Sequence, residues 1–242
     1  MARQLTAGEI INRTAVEVGL RRTPDPFSSL DEGFSQLVGL LNTAGQELVE
    51  LSDWPELLQP YQQVTSSLDS GKYDLPDDFD HFINQTGWDR TNDVPVIGPL
   101  SPQDWAYLLG RDFEANSIYV AYRMFGDKLE VYPQPPPDGV SINFQYVSRN
   151  WARKANSDTT DFCTQPDDLV LLDPLLMQKF LKVKFLNAKN LPSQAASIEF
   201  ENVLMNRQGA STGAQVLRAG RGGAAFPYLN QFFNTPDTGY GG

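Results

Sequence analysis

KYDLPDDFDHFINQTGWDRTNDVPVIGPLSPQDW, residues 72–105, holds more conformation-setting residues than one helix or one strand can absorb. Tyr73 and Leu75 alternate with Asp74 as the end of a strand does, and Pro76 stops that strand because it brings no amide hydrogen to a ladder. Asp77 and Asp78 stand where carboxylates cap a short helix, one that would carry Phe79, Phe82 and Ile83 on one side. Residues 88–92 (WDRTN) read as a second extended piece, and Pro95, Gly98 and Pro99 make the next run a rigid loop. Ser101 is then a helix N-cap with Pro102 in the first helical position and Asp104 reaching back, and Gly110 closes this helix after Trp105, Leu108 and Leu109. Trp88, Asp89 and Arg90 form the structural corner. Arg90 is expected to pair with Asp89 or with a carboxylate of residues 77–80; the alternative is an exposed arginine that contacts a partner subunit.

Upstream of this stretch the period is helical. Thr6 to Glu9 spacing fits a capping box, and Ile10, Ile11, Ala15, Val16 and Val18 give the following helix one apolar side up to Gly19. Pro24 and Pro26 force a turn. Ser29 and Glu32 then read as a second capping box, opening a helix whose stripe is Phe34, Leu37, Val38, Leu41, Ala44, Leu48 and Leu51. These two helices are expected to pack as an antiparallel pair. From Trp54 the period becomes two, with a strand around Tyr61, Gln63 and Thr65 and a turn at Asp69, Ser70 and Gly71.

Downstream, Ile118, Val120, Tyr122 and Met124 share a strand face, Gly126 and Asp127 make a tight turn, and Leu129 and Val131 continue on the next strand. After the stiff loop at 135–139, Val140, Ile142, Phe144 and Tyr146 alternate with Ser141, Asn143 and Gln145, which predicts a strand with one wet face. Residues 151–166 read as loop, ending the β part. Asp173 and Pro174 open another helix with Leu175, Leu176, Phe180, Val183 and Leu186 as its stripe. Lys179, Lys182 and Lys189 on a neighbouring side read as a solvated face, or else as a row facing DNA or an acidic neighbour. Ser193 caps a last helix with Ala196, Ile198, Phe200, Val203 and Leu204.

The fold class that follows is α+β: a helical bundle built from the N- and C-terminal helices, an inserted antiparallel β domain of sandwich or open-barrel type, and an extended C-terminal tail. The expected boundaries are residues 1–53, 54–152, 153–208 and 209–242. The tail has eight glycines and no sustained period, yet carries Phe226, Tyr228, Leu229, Phe232, Phe233 and Tyr240. Such a segment is expected to bind a partner, gaining its order by docking on another chain.

Composition removes several function classes. With 30 acidic and 19 basic residues the net charge is -11, which argues against gripping nucleic acid by its phosphates. The single cysteine, Cys163, allows no intrachain disulfide, and the single histidine, His81, allows no His-based metal cluster within one chain. Asp78 and Asp80 could orient His81, but no GxSxG is present, and Gly220 to Gly223 lack the strand before and the Lys-Ser/Thr after that a phosphate loop needs. The run Asp74, Asp77, Asp78 and Asp80 lacks the glycine and glutamate of an EF-hand. No catalytic residue, cofactor site or metal site is expected. There is no secretory pattern and no apolar run of about 18 residues, so the expectation is a cytoplasmically made protein without a membrane segment.

YDLPDDFD (residues 73–80), WDRTN (88–92), GPLSPQ (98–103) and YVS (146–148) resemble the head-to-tail adaptor proteins of short-tailed bacteriophages, of the tubular tail protein A type. The similarity covers roughly residues 50–152 and elsewhere lies in the order of elements. It implies a non-enzymatic virion protein at the head–tail junction, a homo-oligomeric ring, expected to be a dodecamer, beneath the portal protein. The ring would extend the DNA channel, pass DNA without specific binding, and offer its far side to the tail nozzle and in some members to tail fibres. The competing reading is a carbohydrate- or protein-binding β-sandwich module with helical decoration, in which Trp54, Trp88, Trp105 and Trp151 are exposed as a sugar platform.

Overall fold

The computed structural model describes residues 4–84, 86–110 and 120–212. The chain divides into two compact units, Met1–Leu204 and Met205–Gly242, and of the second only the end of the last helix is described. Strand β1 (Leu5–Thr6) leads directly into helix α1 (Ala7–Glu17). The Thr6 hydroxyl accepts from the Glu9 amide and the Glu9 carboxylate accepts from the Thr6 amide, so the expected capping box forms. Helix α2 (Glu32–Leu51) starts later than the Ser29 box predicts. Asp31 is the N-cap, accepting from the Gly33 amide at 2.7 Å, while Ser29 accepts from the Asp31 amide; both are competent caps, and the one next to helical backbone prevails.

A short 3-10 turn (Pro55–Leu57) precedes β2 (Leu58–Val64). The stretch at 72–105 then supplies β3 (Lys72–Asp74), β4 (Phe79–Phe82), β5 (Trp88–Asp89), β6 (Val94–Pro95) and α3 (Pro102–Gly110). Residues 79–83 are therefore not a helix. A register shift between Phe79 and His81 lets two residues three apart turn to the same side of a strand, so Phe79 and Phe82 meet with ring centroids 4.8 Å apart. Strands β7 (Ala121–Phe125) and β8 (Lys128–Tyr132) form the hairpin expected at Gly126, whose φ of 59° suits a residue without a side chain. The part of the predicted strand at Ile118 lies outside the described residues.

Strand β9 (Ser141–Ser148) is the organising strand. It pairs with the whole of β2 through residues 141–147 on one side and with β4 and β5 in succession on the other. Beyond it the chain does not leave β structure as expected: β10 (Ala152–Arg153), β11 (Thr159–Thr160) and β12 (Leu169–Val170) form a small sheet with β1. Strands of two residues carry no readable period, which is why the sequence shows only a loop there. Helices α4 (Pro174–Ala188) and α5 (Gln194–Thr212) complete the described chain, with Asp173 capping α4 at the Leu176 amide as expected.

The architecture is mixed α+β with antiparallel sheets ordered β1-β12-β10-β11, β2-β9-β5-β6 with β4 also on β9, and β3-β8-β7, and these sheets do not close into a barrel. One core gathers Ile10, Leu37, Leu41, Leu48, Leu176 and Leu181 from α1, α2 and α4, with Trp151 filling its centre. A second gathers Tyr61, Ile142 and Phe144 from the β2–β9 sheet and Tyr122, Leu129 and Val131 from the β3-β8-β7 sheet. Strand β9 serves both. Ile142, Phe144 and Tyr146 enter the second core, whereas Val147, on the face expected to be wet, is fully buried in the first. On the other face of the β7–β8 hairpin Trp105 of α3 packs with Ala121 and Tyr132. Several predicted stripes shift at their ends: Val16, Leu51, Leu175 and Ile198 are exposed, and Val49, Met177 and Phe185 are buried.

Candidate functional site

The corner at residues 76–92 is riveted to β9 by the Asp78 carboxylate and braced within itself by that of Asp89. Asp78, expected as a helix cap, accepts from the Tyr146 hydroxyl at 2.9 Å and the Ser148 hydroxyl at 2.6 Å, and its carbonyl accepts from the Arg149 amide at 2.8 Å. Burial, with this carboxylate next to it, pushes the Tyr146 phenol well above its ordinary range. Asp89 is fully buried and accepts from the amides of Thr91 and Asn92 and from the Asn92 side chain at 2.7 Å, an Asx turn that folds WDRTN on itself. Arg90 forms no ion pair with Asp89 or with residues 77–80. It is exposed, its guanidinium 5.8 Å from the centroid of the Trp88 ring, and its amide holds Ser141. Asp89→Ala removes the buried acceptor of three donors and is expected to cost about 1–3 kcal/mol, read as a lower urea midpoint; Asp89→Asn should recover part of it.

Next to this corner lies an open cleft of about 740 Å³. Leu75, Phe79, Phe82 and Met124 contribute half-buried apolar surface to it, and Asp77, Asp80 and Asp127 contribute exposed carboxylates. His81 also lines it, with Nδ1 2.6 Å from Asp80 and Nε2 3.0 Å from Asp53. The second partner is Asp53, not Asp78. No local signal betrays it, because the pair spans 28 residues and forms only when β4 is laid on β9.

Partial burial lowers the His81 pKa, but the hydrogen bonds and charges of Asp80 and Asp53 outweigh it and leave the pKa above the usual 6.5. A raised folded-state value means the bridge stabilises fully below the unfolded pKa and is lost as pH rises through the folded one. Because His81 is the only histidine, its two carbon-bound ring protons are assigned without ambiguity and are expected to titrate above 6.5, and lower in Asp53→Asn. A titration indifferent to Asp53 would show that the bridge does not form in solution.

The described residues assemble little that could carry out covalent chemistry. Cys163 is buried in the helical core, where burial, with Asp168 adding to it, pushes its thiol to about 12, so it is not a thiolate at neutral pH. Its backbone is clasped by Asn42 of α2, which donates to the Cys163 carbonyl and accepts from its amide. No group of three or more His, Cys, Asp or Glu suited to a metal occurs among the described residues.

Lys179 and Lys182 are not a solvated face. Both reach Glu17 of α1 and Glu199 of α5 within 4 Å, forming a four-charge cluster that ties three helices together. Lys189 is exposed, with its amine 5.7 Å from the Phe185 ring. The sugar platform does not exist either, since Trp54, Trp105 and Trp151 are buried in cores and only Trp88 is part-exposed. Phe226, Tyr228, Leu229, Phe232, Phe233 and Tyr240 lie outside the described residues.

A site missed by sequence reasoning is Glu130, buried on β8 between the cross-strand neighbours Lys72 and Arg123, at 2.9 and 2.5 Å. The signal was a carboxylate amid Leu129, Val131 and Tyr132, in a strand where no other acid occurs.

Among the described residues no helix is long and apolar enough to cross a membrane. No curated protein matches the chain. Its sequence matches the family described as SU10 adaptor protein over residues 5–221, from β1 through both cores and past α5. With a match that spans every element described above, and in keeping with the resemblance at YDLPDDFD and WDRTN, the chain belongs to the SU10 adaptor protein family, a family of phage adaptors whose role is structural and whose place is the virion.

Proposed function

We propose that this protein is a head-to-tail adaptor that closes into a ring, expected to be a dodecamer, between the portal protein and the tail nozzle and extends the DNA channel. The observation that carries the reading is the family match over residues 5–221, which takes in the helical and the β parts together. Three features support it. The polar clusters of the described residues are spent on holding the fold: Asp78 on β9, Asp89 on its own turn, Glu130 between two cations, Lys179 and Lys182 on two glutamates. The net charge of -11 suits a channel wall on which DNA slides without adhering. A closed ring also needs complementary faces on each subunit, which an aromatic C-terminal segment can supply.

In this reading residues 1–53 and 153–208 form the helical bundle that meets the portal, 54–152 the sandwich-like β domain directed at the nozzle or fibres, and 209–242 the tail that docks on a partner through Phe226, Tyr228, Leu229, Phe232, Phe233 and Tyr240. Trp88, Asp89 and Arg90 keep the corner of the β domain in shape, with Arg90 free to meet a neighbour. Electron microscopy of the purified protein, alone and with the portal of the same phage, tests this. Rings seated on the portal are expected, with crosslinks from α4 and α5 to portal. Persistent monomers that ignore the portal would sink the proposal, and crosslinks from α4 and α5 to the nozzle would reverse its orientation.

A further inference from the structure

We infer that the cleft at β4 is the seat of the C-terminal segment of a second copy of this chain. The inference rests on the adaptor reading and adds the receptor to the docking segment. Leu75, Phe79, Phe82 and Met124 pack against the β core yet keep part of their surface open to the cleft, about 740 Å³ in volume. Apolar surface left at the bottom of a concave site favours an aromatic or aliphatic side chain. Around it stand the exposed carboxylates of Asp77, Asp80 and Asp127. Among the described residues, carboxylates outnumber the cations of the lining: His81 lies between Asp80 and Asp53, and Arg149, whose guanidinium donates to the Asp77 carbonyl at 2.5 Å, is the one arginine. The cleft thus suits an extended segment that brings large apolar side chains and its own positive charge.

This chain contains such a segment. Residues 213–242 hold Arg218 and Arg221 against Asp237 alone, a net +1, so that the remaining residues carry -12 of the total of -11. Arg221 precedes Phe226 by five residues, about 17 Å of extended chain. That spacing lets the guanidinium groups meet the carboxylates while Phe226, Tyr228 and Leu229 cover the apolar surface. Thirty residues beyond 212 span up to about 100 Å when extended, enough to reach a neighbouring subunit. In a closed ring a segment that reaches the next copy's cleft would be held there at high effective concentration, and the contact would repeat around the circle with no end left over.

The test uses the full chain with Phe226 replaced by the photo-crosslinker p-benzoylphenylalanine, as an equal mixture of nitrogen-15-labelled and unlabelled copies assembled on the portal. After irradiation, crosslinked peptides are mapped by mass spectrometry and the same sample is imaged. Crosslinks joining labelled to unlabelled copies, from position 226 into residues 75–82 and 122–127, are the expected result. Asp127→Lys, at an exposed turn position, should reduce them about fivefold or more while circular dichroism stays unchanged. Crosslinks that stay within one copy, go to the portal, or are unaffected by Asp127→Lys overturn the inference. If rings sit on the portal without cleft crosslinks, only this inference fails; if no rings form, the adaptor reading falls and takes it along.

Discussion

Trp151→Ala is expected to lower stability by about 3–5 kcal/mol, the range for removing a large aromatic from a core, and to be the most damaging single truncation in the protein. Trp151 is fully buried where β10 begins, its indole Nε1 donates to the Asp161 carbonyl at 2.8 Å, and one face of the ring lies on α2. The ring approaches α2 at Gly45, where any Cβ would overlap the indole atoms. Gly45→Ala is therefore also destabilising despite alanine's helix preference of about 1 kcal/mol, because forcing a methyl group into a packed core costs about 1–3 kcal/mol or more. The two changes should not add. With the indole gone the new methyl has room, so the double variant is expected to lie close to Trp151→Ala alone, a coupling that a double-mutant cycle in urea reads directly. If Gly45→Ala is harmless in the wild-type background, α2 and Trp151 are not packed as described.

The second large effect is expected at Glu130. Its side chain is 2% exposed, and its two oxygens accept from Lys72 and Arg123, which face it from the strands on either side. Arg123 is itself set between the rings of Trp105 and Phe125, 4.7 and 4.8 Å from their centroids, so it cannot swing away when its partner is lost. Glu130→Gln should cost about 1.5–3 kcal/mol at neutral pH, the range for hydrogen bonds to charged groups. The loss stays below the upper values for fully buried pairs because Lys72 remains half-exposed.

The same pair has a pH signature. Burial raises the Glu130 pKa, but the hydrogen bonds and charges of Lys72 and Arg123 prevail and hold it below the usual 4.5. A depressed folded-state value contributes stability that is complete above the unfolded pKa and disappears as pH falls through the folded one. The difference between wild type and Glu130→Gln is thus expected to be flat from pH 7 to about 5 and to shrink at lower pH. A difference that persists unchanged well below pH 4 would mean that charge is not what holds this site.

Amphipathic spacing made α1, α2 and the hairpin of β7 and β8 legible, since each buries one periodic face, and residues with one conformational job marked where α1 and α4 start, at Thr6 and Asp173, and where the hairpin turns, at Gly126. The segment 77–83 was misread for a physical reason. Two acids followed by apolar residues three apart is the pattern of a capped helix, and it is equally the pattern of a strand with one extra residue in it. Only the pairing with β9 chooses between them. The lysines of α4 carry the same ambiguity, because a cation three or four residues from another reads as solvated until Glu17 and Glu199 arrive from other helices.

By itself the sequence determined the long helices and strands outside 77–83 and 151–170, the caps at Thr6 and Asp173, the alternation that buries Val140, Ile142, Phe144 and Tyr146, and the motifs at 73–80 and 88–92 that point to the adaptor family. Those are local properties: a period, a cap or a turn depends on residues within a few positions of one another. Tertiary structure alone decided that β9 is shared by two cores, that Asp53 meets His81, that Glu130 lies between Lys72 and Arg123, and that the acids of residues 77–80 border a cleft. Each of these joins groups distant in the chain, and a side chain's charge or polarity says only that it needs a partner, not which one the fold will bring to it.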